Sequence, residues 1–286
     1  MSRKDASRAA GAEGLLRFVL NEGRVECRAG SRQHHNHGEF RVPKRTLDRY
    51  NVLYIARGRA RWRIEGVGVE VSAGDLLVVC PGEEHDALPM TQRTTVGSMH
   101  VRMGLPGGRD AFALVRPPRV MRVVEGSRLE GYLRGHMTEF DRGAKAGRYS
   151  VGWAHLVVQE MLVEADRRGV LGYGALDPLV PEMLVLLQER LAEPTTLGNL
   201  AVASGYSAQH LNRLFNRVLG VTPIKLLTRM RMDAAGEALR GTGLTVAAVA
   251  ESVGYADPYH FSRAFSGHFG QSPSAYRLAL DSEYPA

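Results

Sequence analysis

Two groups of polar side chains near the C-terminal end of the sequence could read the edges of DNA bases. The first group is Gln209, His210, Asn212 and Arg213, and the second is Tyr259, His260, Ser262 and Arg263. Arginine can donate two hydrogen bonds to guanine and asparagine can pair with adenine, while serine, histidine and tyrosine can reach bases or phosphates. A polar helix face is often simply solvated, so residue type alone does not establish this chemistry.

An internal repeat over residues 196–277 places the two groups at equivalent positions. One copy reads TLGNLAVASGYSAQHLNRLFNRVLGVTP from Thr196, and the other reads TVAAVAESVGYADPYHFSRAFSGHFGQSP from Thr245. Equivalent residues keep an offset of 49 in the first half and of 50 in the second half, after the inserted Ala256. A chance resemblance would not keep that order, so the repeat indicates a duplicated unit.

Each copy carries the start and stop signals of two short helices. A side-chain oxygen suited to an N-cap begins each helix, and a glycine suited to a positive φ follows it. The caps are Thr196, Ser207, Thr245 and Asp257, and the glycines are Gly205, Gly220, Gly254 and Gly270. This is the helix-turn-helix pattern, whose second helix enters the major groove of DNA. A scaffold helix is expected over 179–192, and a long helix over 222–240 joins the two copies.

The second copy resembles the C-terminal domain of the AraC/XylS family of transcription regulators. The stretch LTVAAVAESVGYADPYHFSRAFSGHFGQSPSAYR is similar to the signature of that family nearly throughout. The resemblance implies a sequence-specific binder of double-stranded operator DNA that responds to a small-molecule effector. It also implies a homodimer, with RNA polymerase as a further partner.

The first part of the chain predicts an antiparallel β domain. Short apolar runs between glycine-containing turns predict strands at 15–20, 24–28, 51–57, 60–65, 67–71, 76–80 and 95–102. The segments VSAGDLL and PGEEH at 71–77 and 81–85 resemble the cupin-type sensor barrel of sugar-responsive members of the family. The predicted fold class is therefore α+β with two domains. An antiparallel cupin-like β-barrel, or jelly roll, with a helical section precedes an all-α domain with two helix-turn-helix motifs.

Five segments follow from this pattern. Residues 1–14 are interpreted as a mobile arm, 15–120 as the ligand-sensing barrel, 121–168 as the helical section, 169–178 as a glycine-rich linker and 179–280 as the DNA-binding domain. Amphipathic helices in 121–168 either form a dimer contact or cover the barrel, because both roles bury one helix face.

A small barrel can enclose one ligand in a mainly apolar cavity with a few polar groups. Trp62 could stack on the apolar face of a sugar, and Arg57 could donate to hydroxyl groups or a carboxylate. Tyr54 and His85 could add polar contacts. Each residue also has a structural interpretation, since tryptophan commonly lies in a core and Arg57 could cap a strand at the surface.

The histidines of the barrel raise the alternative of a metal-dependent cupin enzyme with a DNA-binding-like tail. His34, His35 and His37 cluster with Glu39, and His85 lies where metal-binding cupins place a ligand. However, Glu39 is closer to His37 than the metal motif requires, and the other partners of that motif are missing. No nucleophile triad or carboxylate pair is evident either. We therefore predict no metal, no cofactor and no enzymatic activity.

Composition is consistent with a cytoplasmic protein that has no membrane partner. The 286 residues are 44% apolar and 23% charged, and the sequence has neither a signal peptide nor an apolar run of membrane-spanning length. Cys27 and Cys80 are too few for a disulfide framework. The net charge of +7 does not by itself favour DNA binding by the repeat: residues 178–280 carry 9 Arg or Lys and 7 Asp or Glu, whereas 1–177 carry 28 and 21.

Overall fold

The computed structural model describes residues 3–35, 42–88, 94–141, 148–174 and 177–283. By its internal contacts the chain divides into two units, Leu16–Ala175 and a second unit made of Met1–Leu15 with Leu176–Ala286. The first unit contains antiparallel sheets with helices, and the described part of the second is helical. This confirms the predicted α+β class. None of the described helices combines the length and apolar character needed to span a membrane.

The strands of the first unit lie in three antiparallel sheets. They are β1 (Arg24–His35), β2 (Val42–Thr46), β3 (Tyr50–Arg57), β4 (Arg59–Ile64), β5 (Val67–Ser72), β6 (Asp75–Val79), β7 (Glu84–Ala87), β8 (Thr94–Gly104), β9 (Val115–Arg116), β10 (Val120–Arg122) and β11 (Gly172–Tyr173). The two larger sheets have the orders β1-β8-β3-β6-β10 and β2-β7-β4-β5, and β9 pairs with β11. Side chains from both larger sheets form one apolar cluster, so these sheets pack face to face.

The alternation of side chains along a strand determines which of them lie between the two larger sheets. On β4, Ala60, Trp62 and Ile64 are buried, and the arginines between them are exposed. On β3, Leu53 and Ile55 belong to the cluster between the sheets. Because successive side chains point to opposite faces, the even-numbered residues of β3 lie on the other face of the five-stranded sheet.

Helices cover that other face, which explains why β3 is an almost continuous apolar run. The helices α2 (Arg128–Asp141) and α3 (Arg148–Arg167) belong to this region, and so does the end of α1 (Arg3–Glu22), from Leu16 on. Both α2 and α3 contact β1, and Gln159 Nε2 of α3 donates to the carbonyl of Leu20 at 3.1 Å. The two helices predicted in 121–168 therefore form and cover the sheet.

The N-terminal residues differ most from the sequence prediction. Residues 3–14, interpreted as a mobile arm, and residues 15–20, predicted as a strand, lie together in α1. The strand prediction is wrong because the apolar residues of this run have helical rather than alternating spacing. The buried side chains are Leu15, Leu16, Phe18 and Val19, and Arg17 between them is exposed.

The second unit consists of the first part of α1, up to Leu15, and of further helices arranged around one long member. These further helices are α4 (Leu179–Glu189), α5 (Leu197–Ser204), α6 (Ala208–Leu219), α7 (Pro223–Gly241), α8 (Val246–Ser252), α9 (Pro258–Phe269) and α10 (Pro273–Glu283). The helix α7 contacts α4, α6, α8, α9 and α10. The deeply buried residues of α7 include Leu226, Leu227, Met232, Ala235 and Leu239. Helices contact α7 from several directions, which makes its buried face wider than a single stripe.

The predicted helix signals of the repeat are confirmed. The side chains of Thr196, Ser207, Thr245 and Asp257 each accept a hydrogen bond from a backbone N–H in the first turn of their helix. The glycines Gly205, Gly220, Gly254 and Gly270 all have φ between 71° and 78°. Such positive φ values strain residues with a Cβ, which accounts for glycine at all four positions.

Candidate DNA-reading surface and effector site

The helix α6 presents the first group of predicted DNA-reading residues on its solvent side. Gln209 and Arg213 are exposed, and His210 and Asn212 are partly exposed. The opposite side of α6 is anchored by fully buried residues, Leu211, Leu214 and Phe215. The ring of Tyr206, in the turn before α6, stacks on His210 at a centroid distance of 5.1 Å. The helix is thus held by its apolar face and leaves these polar side chains available to a ligand.

The helix α9 presents the second group in the same way. Tyr259, His260 and Arg263 are exposed, Ser262 is partly exposed, and Phe261 and Phe265 are buried. The guanidinium of Arg263 lies 6.0 Å from the centre of the Tyr259 ring. This cation–π contact orients the arginine while the Tyr259 side chain remains 67% exposed. Both helices therefore expose an arginine at equivalent positions of the repeat.

A buried arginine that the sequence analysis missed holds the second motif in place. Arg231 of α7 is 8% exposed. Its Nε donates to the carbonyl of Leu191 at 2.9 Å, and a second nitrogen donates to the carbonyl of Glu193. The guanidinium also lies 5.7 Å from the centre of the Tyr255 ring. Arg231 thus connects the segment after α4 with the turn of the second motif. The sequence signal for its burial was its place in a long helix between two apolar residues, Met230 and Met232.

The turn beside Arg231 leaves no room for a larger residue. A Cβ added at Gly254 would lie 2.9 Å from an Nη atom of Arg231 and 3.0 Å from the carbonyl oxygen of Leu191. Gly254 also has a φ of 78°. Both the conformation and the close approach therefore require glycine here.

The four residues predicted to bind an effector do not lie together. Trp62 and His85 lie between the two larger sheets, with ring centroids 6.2 Å apart. Tyr54 lies on the other face of its sheet, where its hydroxyl donates to Glu130 Oε1 of α2 at 3.2 Å. Arg57 is exposed at the end of β3. The structure therefore brings Trp62 and His85 together and separates Tyr54 from them.

Buried polar atoms without partners lie beside Trp62 and His85. Asn51 is 0% exposed, and neither its amide nitrogen nor its amide oxygen has a hydrogen-bond partner among the described residues. His85 is 1% exposed; its Nδ1 lies 3.0 Å from the carbonyl oxygen of Glu83, while its Nε2 has no such partner. The Nδ1 therefore carries the proton and Nε2 is a free acceptor. The indole nitrogen of Trp62 is likewise buried without a partner.

Strand register places two further unsatisfied groups near these atoms. Asn51 pairs with His100 across β3 and β8, and His85 pairs with Arg45 across β7 and β2. His100 Nε2 and Arg45 Nε are also buried without hydrogen-bond partners in the described part of the chain. Burial is the main cause that lowers the pKa of His85 and of His100, and the nearby charge of Arg45 lowers both further. We refer to Arg45, Asn51, Trp62, His85 and His100 as the polar end of the sheet interior.

The polar end of the sheet interior has the composition of a site for a small oxygen-rich molecule. A buried polar group without a partner destabilises the fold by about 1–3 kcal/mol, so such groups normally mark a bound ligand or ordered water. The available groups are imidazole acceptors, an amide, an indole N–H and a guanidinium N–H. Hydroxyl groups together with a carbonyl or anionic oxygen would satisfy them all. Three of the five residues, Arg45, Asn51 and His100, were not predicted; isolated polar residues within apolar strands were their only signal.

Two family models match the chain, one in each unit. A model of a helix-turn-helix domain matches residues 200–279, and a model of an AraC-like ligand-binding domain matches residues 29–94. The sheet unit is thus similar to the ligand-binding domain, and the helical unit to the helix-turn-helix domain, of AraC-type regulators. The first of these matches overlaps the internal repeat over residues 200–277.

Several curated relatives are similar to this chain. The MmsAB operon regulatory protein of Pseudomonas aeruginosa is 27% identical over 84% of this chain and 78% of its own length. The transcriptional activator NphR of a Rhodococcus species is 37% identical over 41% of this chain and 36% of its own length. An uncharacterized helix-turn-helix regulator of Bacillus subtilis, YisR, is 32% identical over 43% of this chain and 42% of its own length. The chain thus spans less than half the length of the latter two relatives.

The described residues of the chain contain no group of three or more His, Cys, Asp or Glu side chains placed to hold a metal ion. His37 and Glu39 of the predicted histidine cluster lie outside the described residues. Of His34 and His35, only the backbone is described, within β1.

The sheet unit should lose stability as the pH falls below about 6.5. Burial lowers the pKa of His85, His100 and His136, whereas each has the ordinary value of 6.5 when unfolded. The unfolded chain therefore binds protons first, and the free energy of unfolding decreases as the pH falls from 6.5 towards the folded pKa values. Glu83, Asp86 and Glu130 have lowered pKa values, so their contribution is lost only below their ordinary value of 4.5 or 3.8.

Urea unfolding between pH 7.5 and pH 5, followed by tryptophan fluorescence, would measure this loss. Both tryptophans, Trp62 and Trp153, belong to the sheet unit, so the signal is specific to it. A variant with His85→Gln and His100→Gln should show a shallower dependence on pH. An unchanged dependence in that variant would show that these histidines are not responsible.

Proposed function

We propose that this protein is a ligand-responsive transcription regulator that binds operator DNA through α6 and α9. The observation that carries the proposal is the duplicated motif, in which two capped helices each bury an apolar face and expose polar side chains. A single chain then places two helices in successive segments of the major groove. The printed names of the relatives, an operon regulatory protein and a transcriptional activator, support this assignment.

The residues that contact DNA are, in this proposal, Gln209, His210, Asn212 and Arg213 on α6 and Tyr259, His260, Ser262 and Arg263 on α9. Selection of bound sequences from random double-stranded DNA tests the assignment directly. A single enriched motif with two half-sites is expected. Recovery of unrelated sequences would contradict sequence-specific recognition.

We assign effector binding to the polar end of the sheet interior. It combines five residues whose polar atoms need partners with an apolar cluster that can cover the rest of a small molecule. Sugars and hydroxy acids both carry the oxygen atoms that this arrangement requires. In this proposal the sensing part is 15–120, the helical section 121–168 and the linker 169–178 connect it to the reading part, and 179–280 binds DNA.

The same proposal makes the protein a homodimer that acts together with RNA polymerase and catalyses no reaction. The competing function is a metal-dependent cupin enzyme. Metal analysis of the purified protein distinguishes the two. Stoichiometric zinc, manganese or iron, with ligand binding abolished by a chelator, would support the enzyme and overturn the regulator as we describe it.

Replacing Asn51 by leucine should stabilise the unliganded sheet unit and abolish its response to the effector. Leucine has a similar volume and removes a buried amide that has no partner, so the free energy of unfolding should rise by about 1 kcal/mol. A screen of small metabolites for thermal stabilisation identifies compounds that bind the wild-type protein. The melting temperature of the Asn51→Leu variant should not respond to those compounds.

Tyr54→Phe is the matched control for this experiment. It removes a hydroxyl from the neighbouring part of the same strand, but on the face that contacts α2. Its response to the effector should equal that of the wild-type protein. If Tyr54→Phe loses the response and Asn51→Leu keeps it, the effector does not bind at the polar end of the sheet interior.

A further inference from the structure

A cavity lies on the outer face of the five-stranded sheet, opposite to the sheet interior. It has a volume of about 420 Å³, within the range of small-molecule sites. Val78 and Cys80 of the β6 region form its floor, on the face away from Leu77 and Val79, which belong to the interior cluster. A short 3-10 helix, Ala111–Ala113, and the chain that follows it form the opposite wall.

Two aromatic rings shape one side of this outer cavity. Tyr50 and Phe112 both line it, with ring centroids 4.4 Å apart and an edge-to-face angle of 76°. The Tyr50 hydroxyl donates to Asp110 Oδ2 at 3.0 Å, which fixes the ring. Together with Val78 and Pro117, these rings give the cavity an apolar surface suited to a ring or a short hydrocarbon chain.

Among the described residues, the charged groups around the outer cavity leave one cation, Arg116, without an ion-pair partner. Arg119 donates to the carboxylate of Glu83 and to the carbonyl of Val78. The carboxylate of Asp110 accepts from Tyr50 and from the backbone of Phe112. Arg116 also lines the cavity and is exposed, but in the part of the chain that the structure describes its side chain makes no ion pair or hydrogen bond.

We propose that the outer cavity binds a small organic acid, with its apolar part against Tyr50, Phe112 and Val78 and its carboxylate paired with Arg116. An arginine fork matches a carboxylate with two parallel hydrogen bonds, and no group of the described residues occupies the fork of Arg116. The site is distinct from the polar end of the sheet interior, because the two lie on opposite faces of the same sheet. The regulator can therefore respond to two chemically different molecules, and failure of this inference leaves the proposed function unaffected.

Phenylacetate is a suitable probe because it combines one aromatic ring with one carboxylate. Calorimetric titration of the full chain with phenylacetate measures the affinity. Alkylation of Cys80 by iodoacetamide, followed by peptide mass spectrometry, reports where the acid binds. Saturating phenylacetate should slow alkylation of Cys80 at least about threefold and leave Cys27, which does not line the cavity, unchanged.

Two comparisons decide whether Arg116 recognises the carboxylate. The neutral amide phenylacetamide should bind at least about tenfold more weakly than phenylacetate, and Arg116→Gln should weaken phenylacetate binding by a similar factor. Arg128→Gln removes an exposed arginine that does not line the cavity and should have no effect. Absence of Cys80 protection, equal binding of the amide, or wild-type affinity in Arg116→Gln would each overturn the proposal.

Discussion

Replacing Arg231 by methionine should destabilise the contact between the end of α4 and the second motif by about 2–4 kcal/mol. Methionine fills much of the same volume, but the carbonyl of Leu191 loses this donor, and that of Glu193 keeps the hydroxyl of Thr195. The guanidinium lies in a tightly packed turn, where the space beside Gly254 is already filled. The substitution thus removes the hydrogen bonds of a buried charged group that joins two segments, which accounts for the expected cost.

Hydrogen exchange of the full chain, followed by mass spectrometry, would measure this loss locally. Protection should fall in peptides from α7, α8 and α9 and stay unchanged in the sheet unit. Arg240→Met is the matched control, because Arg240 is on the same helix and its guanidinium also lies 5.7 Å from a tyrosine ring, that of Tyr276, but it is exposed. We expect a change below about 0.5 kcal/mol there. Equal effects of the two substitutions would show that burial of Arg231 is unimportant.

Alanine at Arg213 or at Arg263 should each weaken operator binding by about 1–3 kcal/mol, roughly 5-fold to 150-fold. Both arginines are exposed at equivalent places on the reading helices, and Arg263 is oriented by Tyr259. The two segments of the operator should lie about one helical turn, roughly 34 Å, apart. The Arg213→Ala variant should lose discrimination in one segment, and the Arg263→Ala variant in the other.

Affinity, salt dependence and melting temperature together separate base reading from its alternatives. A contact to phosphate would weaken binding to all sequences alike and flatten the dependence on salt. Arg240→Ala, which removes an exposed arginine outside the reading helices, should leave affinity unchanged. Unchanged affinity in both Arg213→Ala and Arg263→Ala, with the fold intact, would remove these residues from the DNA-reading surface.

The helical unit was predictable because its signals are local. Each cap and each positive-φ glycine determines the start or end of its own helix within one or two turns. Because the unit is duplicated, every such signal occurs twice in the sequence. Arg231 escaped prediction for the opposite reason: its acceptors, Leu191 and Glu193, are about 40 residues away in sequence. Its apolar neighbours, Met230 and Met232, indicate a position near the core but do not identify the carbonyls that it binds.

The sheet unit was predicted less completely. The longer strands follow from alternation and turns, whereas β2, β7 and β9–β11 are short segments that depend on pairing with distant strands. Residues 15–20 of α1 were predicted as a strand because their apolar side chains form a short dense run. Tyr54 and Trp62 were grouped by residue type. Trp62, however, lies between the two larger sheets, and Tyr54 lies on the other face of the five-stranded sheet. Asn51 could be placed beside His100, and between the two larger sheets, only from the pairing of β3 with β8 and β6.

The helix α7 has a consequence for how operators of this protein can evolve. As one uninterrupted helix of 19 residues it is about 28 Å long, and it packs against both reading motifs. A helix of this kind holds the two motifs at a fixed separation, which a flexible linker would not do. Mutations that change individual bases shift the affinity by increments, but a single inserted base pair rotates one half-site away from its helix. Binding sites across a genome should therefore differ in base sequence but share one spacing between their half-sites.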